Sequence, residues 1–138
     1  KANLVPLKEG KYKKPFDITV KKLKHHDPAY GYRLQVDGKT IVYCSDTAIC
    51  KNDELLAQDA DLLIHECAFV PGETSTWGHS DPEEVANLAV KAKVKKLALT
   101  HFGAANYNSM EKRKNAENIA KGIFPNTIAA TDGLSFEI

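Results

Sequence analysis

Apolar and polar residues change their spacing several times along the chain, and each change marks an element. Between 16 and 24, Phe16, Ile18, Val20 and Leu23 stand against Asp17, Thr19 and Lys21, the period of a half-buried strand. Residues 32–36 (Tyr-Arg-Leu-Gln-Val) alternate too. Asp37-Gly38 then supplies the positive-φ pair of a tight hairpin, and 40–44 returns as a second strand. That strand is almost wholly apolar, which predicts a central place in its sheet. A short helix is expected near 53–59, and 61–65 (Asp-Leu-Leu-Ile-His) reads as another buried strand.

Residues 70–78, rich in Pro, Gly, Ser and Thr, read as a loop. Asp81, Pro82 and Glu84 then match the N-cap, first and third positions of a helix, whose apolar face is Val85, Leu88, Ala89 and Ala92. Residues 96–100 return to strand. A more polar helix is expected around 110–122, with Ala116, Ile119, Ala120 and Ile123 at helical spacing. The chain closes with a strand at 128–130, an Asp132-Gly133 turn and an alternating strand at 134–138. Strands alternate with helices after residue 40, and no linker or repeat interrupts them. The expectation is one α/β unit on a mixed sheet.

Composition narrows the class. The chain has 138 residues, 43% hydrophobic and 27% charged, with a net charge of +1, enough for a real core and too apolar for a disordered chain. No run of eighteen apolar residues exists, so no membrane span is expected. Cys44, Cys50 and Cys67 are an odd count in no tight spacing, which argues against a disulfide scaffold or a cysteine-type zinc site. With no signal peptide visible, a cytoplasmic location is expected. The chain starts at Lys1 and its sole methionine is Met110. Charge is uneven: residues 1–24 hold eight lysines against Glu9 and Asp17. The simpler reading of that lead is a solvated strand edge or arm, since edge lysines also discourage aggregation.

Candidate chemistry gathers just past apolar strands, where α/β proteins place their sites. Asp46 follows 41–44, His65 ends 62–64, His79 closes the flexible loop, His101 follows 97–100, and His25-His26 end the first strand. Imidazole and carboxylate together suit zinc and its neighbours. Strand alternation lets only one of His25 and His26 point inward. Taken singly, Asp46 could close a turn and His101 could be a core histidine. Trp77 reads equally as a loop anchor or a substrate-facing ring.

Five short motifs occur in a telling order: His25 followed by five residues and then Gly31-Tyr32, then Cys44-Ser45-Asp46-Thr47, Leu63-Ile64-His65-Glu66, Gly78-His79-Ser80 and Leu99-Thr100-His101-Phe102. This order resembles the C-terminal half of the metallo-β-lactamase superfamily, in its ribonuclease Z-like and phosphodiesterase branch, over residues 16–138. The resemblance implies half of a four-layer αββα sandwich, and hydrolysis of phosphodiesters with two divalent metal ions, zinc first and manganese or iron as alternatives. By the same resemblance His25 ligates one metal, His101 the other, and Asp46 bridges both. His79 contacts the scissile phosphate or protonates the leaving oxygen, and Glu66 orients His79. His65 is not a ligand in that pattern and is expected to be structural.

The chain departs from the family in two places. The family's His-x-His-x-Asp-His cluster is absent, so an N-terminal half is expected as a separate chain, a cleaved piece or an omitted segment. Gly31 and Asp46 are joined by a plain hairpin, with no room for the long arm of tRNA-processing members. That favours a phosphodiester of modest size, a nucleotide derivative or RNA. The alternatives are a non-catalytic binding module with a vestigial metal site, and a thioester or lactone hydrolase of the same superfamily. An isolated half would expose an apolar sheet face and so calls for a tight partner; homo-oligomerisation stays open.

Overall fold

A computed structural model describes residues 7–13 and 16–138. Ten elements follow in chain order: β1 (Gly10–Tyr12), β2 (Asp17–Lys22), β3 (Tyr30–Val36), β4 (Lys39–Cys44), α1 (Lys51–Ala57), β5 (Leu62–Glu66), α2 (Pro82–Lys91), β6 (Leu97–Thr100), α3 (Met110–Ile123) and β7 (Thr127–Ala129). All seven strands form one sheet in sequence order. β1 to β4 are an antiparallel meander, and β4 to β7 run parallel, each joined to the next through a helix. The mixed α/β class expected from the sequence is the class found.

The topology dictates where the helices lie. Parallel strands that advance steadily in one direction, with right-handed crossovers, put every connecting helix on the same face. Accordingly Leu56 and Ala57 of α1, Val85, Leu88 and Ala89 of α2, and Ala116 and Ala120 of α3 share one core with Val42, Leu63, Leu97 and Leu99 of the sheet. Alternation sends the other set of side chains to the opposite face. There the register aligns Tyr32, Tyr43, Ile64, Ala98 and Ile128 across five strands. Tyr32 and Tyr43 stack at 6.5 Å, and Tyr43 is 40% exposed. The face opposite the helices is thus apolar and in part open to solvent.

β4, the apolar return strand, is fourth of seven, the predicted central place. The Asp37-Gly38 turn has both residues at positive φ, +50° and +76°. α2 begins as its sequence demands: the Asp81 carboxylate accepts from the amides of Glu83 and Glu84, and Glu84 Oε2 accepts from the Asp81 amide. A cap of this kind is worth about 1 kcal/mol.

Two details differ from expectation. α1 starts two residues early because Asp53 reaches back to the Cys50 amide (2.8 Å), a capping box built on cysteine, which periodicity does not flag. It stops where Asp59 turns to φ +54°. The lysine-rich lead meets its expectation, with an edge strand, β1, in its described part; residues 1–6 and 14–15 lie outside the described residues. Finally, 134–138 is not a strand. The Asp132-Gly133 turn forms, with the Leu134 amide donating to the Thr131 carbonyl at 3.1 Å, but β7 is only three residues long and offers little ladder to pair with. The tail is held instead by side chains, with the Lys96 ammonium 4.1 Å from the centre of the Phe136 ring. Among the described residues no helix is long and apolar enough to cross a membrane.

Candidate functional site

Two antiparallel reversals separate β2 from β4, so both point the same way, and β5 and β6 are parallel to β4. The carboxyl ends of four strands therefore meet at one sheet edge. His25 lies three residues past β2, Asp46 two past β4, Glu66 is the last residue of β5, and His101 follows β6 directly. His79 arrives from the 70–78 loop, just ahead of α2.

One ligand atom each from His25, Asp46 and His79 lie within 4.8 Å of one another. His101 Nε2 stands 3.4 Å from Asp46 Oδ2, so Asp46 is in reach of His101 as well as of the other two. The His79 ring is 5.0 Å from that of His25 and stacks on His101 at 5.8 Å. His26 faces away and packs on Trp77. A cavity of about 420 Å³ opens beside the cluster, lined by His25, Tyr30, Tyr43 and Asp46 among others. His101 sits at φ +49°, a left-handed conformation that His tolerates better than most residues and that turns the chain sharply off β6.

Glu66 ties this edge together. Its Oε1 accepts the amides of Ser80 (2.8 Å) and Thr47 (3.3 Å), and its Oε2 that of Ala68 (2.8 Å). Oε1 also lies 3.2 Å from His79 Nδ1. Burial pushes the Glu66 carboxyl up to about 7, while the three amides pull the other way. Because Glu66 is the acceptor for these groups, His79 places its hydrogen on Nδ1 and keeps Nε2 free to face the cluster. Burial lowers the pKa of His79, with His25 adding to the effect and Asp46 opposing it. At His25 the Asp27 amide donates to Nδ1 at 3.2 Å and the Asp27 carbonyl lies 3.3 Å from the same nitrogen, so the backbone holds the ring on its Nδ1 side.

Two positioning residues were hidden inside the sequence motifs. Thr47 is fully buried; its hydroxyl accepts from the Lys24 amide at 3.1 Å and donates to the Ala48 carbonyl at 2.7 Å. Ser80, also fully buried, donates its hydroxyl to the Thr47 carbonyl at 2.6 Å. Each immediately follows a candidate site residue, and that adjacency was the available signal. Gly78 has φ +84°, and a Cβ there would meet the Lys24 carbonyl oxygen at 2.7 Å. Only glycine lets the loop ahead of His79 close onto the backbone beside His25.

His65 lies apart from the cluster. It is fully buried in the row with Cys44 and Leu99, Nδ1 bonding the Glu66 carbonyl at 2.9 Å. Burial pushes it down to about 4, so it is neutral. Cys44 and Cys67 are buried free thiols, held protonated by the same desolvation.

Residues 3–102 match the beta-lactamase superfamily domain. The chain belongs to the β-lactamase superfamily. Among relatives of this superfamily chain, the ribonuclease Z of Gemmatimonas aurantiaca is 41% identical over 104 residues, covering 73% of this chain and 32% of that protein. The ribonuclease Z of Bacillus licheniformis is 39% identical over 110 residues, with 73% and 33% covered. This member thus spans about a third of the length of the curated relatives it matches. Of solved structures, the metallo-beta-lactamase fold protein YhfI from Bacillus subtilis superposes with a TM-score of 0.82 at 27% identity, covering 94% of this chain and 54% of that one. The short form of human tRNase Z gives a TM-score of 0.60 at 28% identity, with 68% and 38% covered.

The donors in this β-lactamase superfamily chain suit divalent cations. Imidazole nitrogens and a carboxylate converge at one edge, with the Asp46 carboxylate in reach of His25, His79 and His101. For two cations the set is short, however: His25, Asp46 and His79 offer one ligand atom each within 4.8 Å, and with His101 the four donors fall below the three or four that each such site usually has.

Proposed function

We propose that this chain forms the C-terminal half of a metal-dependent phosphodiester hydrolase, and that an N-terminal half carrying His-x-His-x-Asp-His supplies the ligands it lacks. The observation that carries this reading is the convergence of His25, Asp46, His79 and His101 on one sheet edge, short of a full ligand set. His25 and His101 would each help hold a divalent cation, with Asp46 as their shared carboxylate partner. Bound there, divalent cations supply Lewis acidity and offset the charge that builds on phosphoryl oxygens. Zinc is the first choice for such donors, with manganese or iron as alternatives.

The chain's own groups do the rest. Glu66 holds His79 by Nδ1, so Nε2 is presented towards the bound phosphodiester; when the ring is doubly protonated, Nε2–H contacts a phosphoryl oxygen or hands its proton to the leaving oxygen, and the ring returns to its neutral Nδ1–H form. Glu66 fixes the tautomer and the angle of the ring. The short β3–β4 hairpin leaves no arm between Gly31 and Asp46 and favours nucleotide-sized or single-stranded substrates. The half-open apolar face fits the complementary sheet of the N-terminal half.

The test is hydrolysis of bis-p-nitrophenyl phosphate, with zinc or manganese, by the full-length protein or by this chain mixed with a His-x-His-x-Asp-His half. Asp46→Ala is expected to abolish both turnover and bound metal, and His79→Ala to lower turnover by about 10²- to 10⁴-fold with metal retained. Undiminished turnover or metal content in Asp46→Ala would sink the reading.

A further inference from the structure

Trp77 is the chain's single tryptophan, and it stands 54% exposed at the rim of the candidate site. Its exposure is built in. The Trp77 carbonyl accepts from the His26 amide at 2.8 Å, the Trp77 amide donates to Ser75 Oγ at 3.1 Å, and Gly78 presses on the backbone of Lys24 and His25. The indole rests against the His26 ring at 5.0 Å and lies 6.4 Å from the His25 ring. An aromatic path therefore runs unbroken from His101 through His79 and His25 to Trp77. Beside it, Lys24 is exposed and adjoins His25 in the chain.

We infer that Trp77, backed by His26, is a stacking platform for a nucleobase, and that the base belongs to the nucleotide adjoining the scissile phosphate; this rests on the phosphodiesterase reading above. A phosphate at the His25–Asp46 cluster has its own sugar and base within one nucleotide's reach of the indole. Every base has a π-face, so an open indole accepts any of them, and the Lys24 ammonium favours the neighbouring phosphate. A paired base would need its partner removed first, so the platform selects single-stranded ends and free nucleotides over duplex. The subsite binds and orients substrate and takes no part in proton transfer.

The experiment uses the full-length protein and a short oligoribonucleotide carrying 2-aminopurine, read by fluorescence quenching, beside the same oligomer with an abasic residue at that position. Trp77→Ala should weaken binding of the base-bearing oligomer roughly 5- to 150-fold, leave the abasic one unchanged, and raise KM far more than it lowers kcat. Trp77→Phe should recover most of the loss. Equal binding of both oligomers by the wild type, equal losses for both in Trp77→Ala, or a change in molecular mass without a change in the base preference would overturn the platform. Bis-p-nitrophenyl phosphate hydrolysis by the wild type reports on the phosphodiesterase reading separately: turnover there with no base preference removes the platform alone.

Discussion

Glu66 and Glu117 are both carboxylates closed off from solvent, yet the protein treats them in opposite ways. Glu66, at the strand-end edge, is met by three backbone amides and an imidazole, and burial carries it up to about 7. Glu117, on α3 beside the edge strand β7, feels burial too, but Lys114 and Lys121 each approach its Oε1 at 2.5 Å and the Ala129 amide its Oε2 at 3.0 Å; together they bring it down to about 2. Dipoles alone hold a buried carboxylate in place without fixing its charge, and full charges fix both. The first arrangement suits a group that must orient a histidine, and the second suits a clamp between a helix and an edge strand.

The largest expected effect separates the two by function. Glu66→Gln should lower phosphodiester turnover about 10- to 100-fold, because the His79 ring loses the partner that sets its tautomer and angle. Glu117→Gln should leave turnover unchanged and lower the unfolding free energy by about 2 kcal/mol, since two ammonium groups lose their charged partner. Steady-state kinetics and urea unfolding on both variants check this. Equal loss of turnover in the two would erase the distinction.

A smaller effect separates them by pH. The folded value of Glu117, about 2, lies below its ordinary 4.5, so folding favours the ionised form. Its contribution is complete above pH 4.5 and is lost as pH falls from there through about 2. Urea midpoints of the wild type should therefore drop by an amount worth about 2 kcal/mol across that window relative to Glu117→Gln, after discounting for the exposure of both lysines. Glu66→Gln should keep this limb. His65, neutral with a value of about 4 against its ordinary 6.5, adds a loss that begins earlier, as pH falls from 6.5 towards 4, and both variants share it.

The strand-end edge was far more legible in the sequence than the clamp, and the reason is physical. His25, Asp46 and His101 announce themselves because each follows a strand, and His79 because it closes a polar loop just ahead of a helix; chain topology then brings these ends together. The α2 start was equally plain, since capping is a local property written in Asp81, Pro82 and Glu84. Glu117 gave no such sign. On a polar helix it is one charge among many, and only the folded position of β7 shows that it accepts the Ala129 amide. Thr47 and Ser80 gave only their adjacency to Asp46 and His79, because their partners lie 23 and 33 residues away. The 134–138 segment misled for the converse reason: alternation predicts a strand's faces, and says nothing of whether a neighbour offers a ladder.

The smallest effect asks whether the Glu117 clamp is shared. Lys114 and Lys121 lie three residues before and four after Glu117, one helical turn away on either side, so each can reach the same oxygen. Lys114 is the more exposed, and its ion pair taken alone belongs to the class worth under about 1 kcal/mol. Lys114→Met keeps helix propensity and the apolar stem while removing the charge. The expected loss is about 0.5 kcal/mol at pH 7, with the acid limb starting slightly higher, because Lys121 and the Ala129 amide still favour ionised Glu117. Urea unfolding at pH 7 and pH 3 measures both. A loss as large as that of Glu117→Gln would mean one lysine carries the clamp, and the contrast with Glu66 would then rest on a single charge.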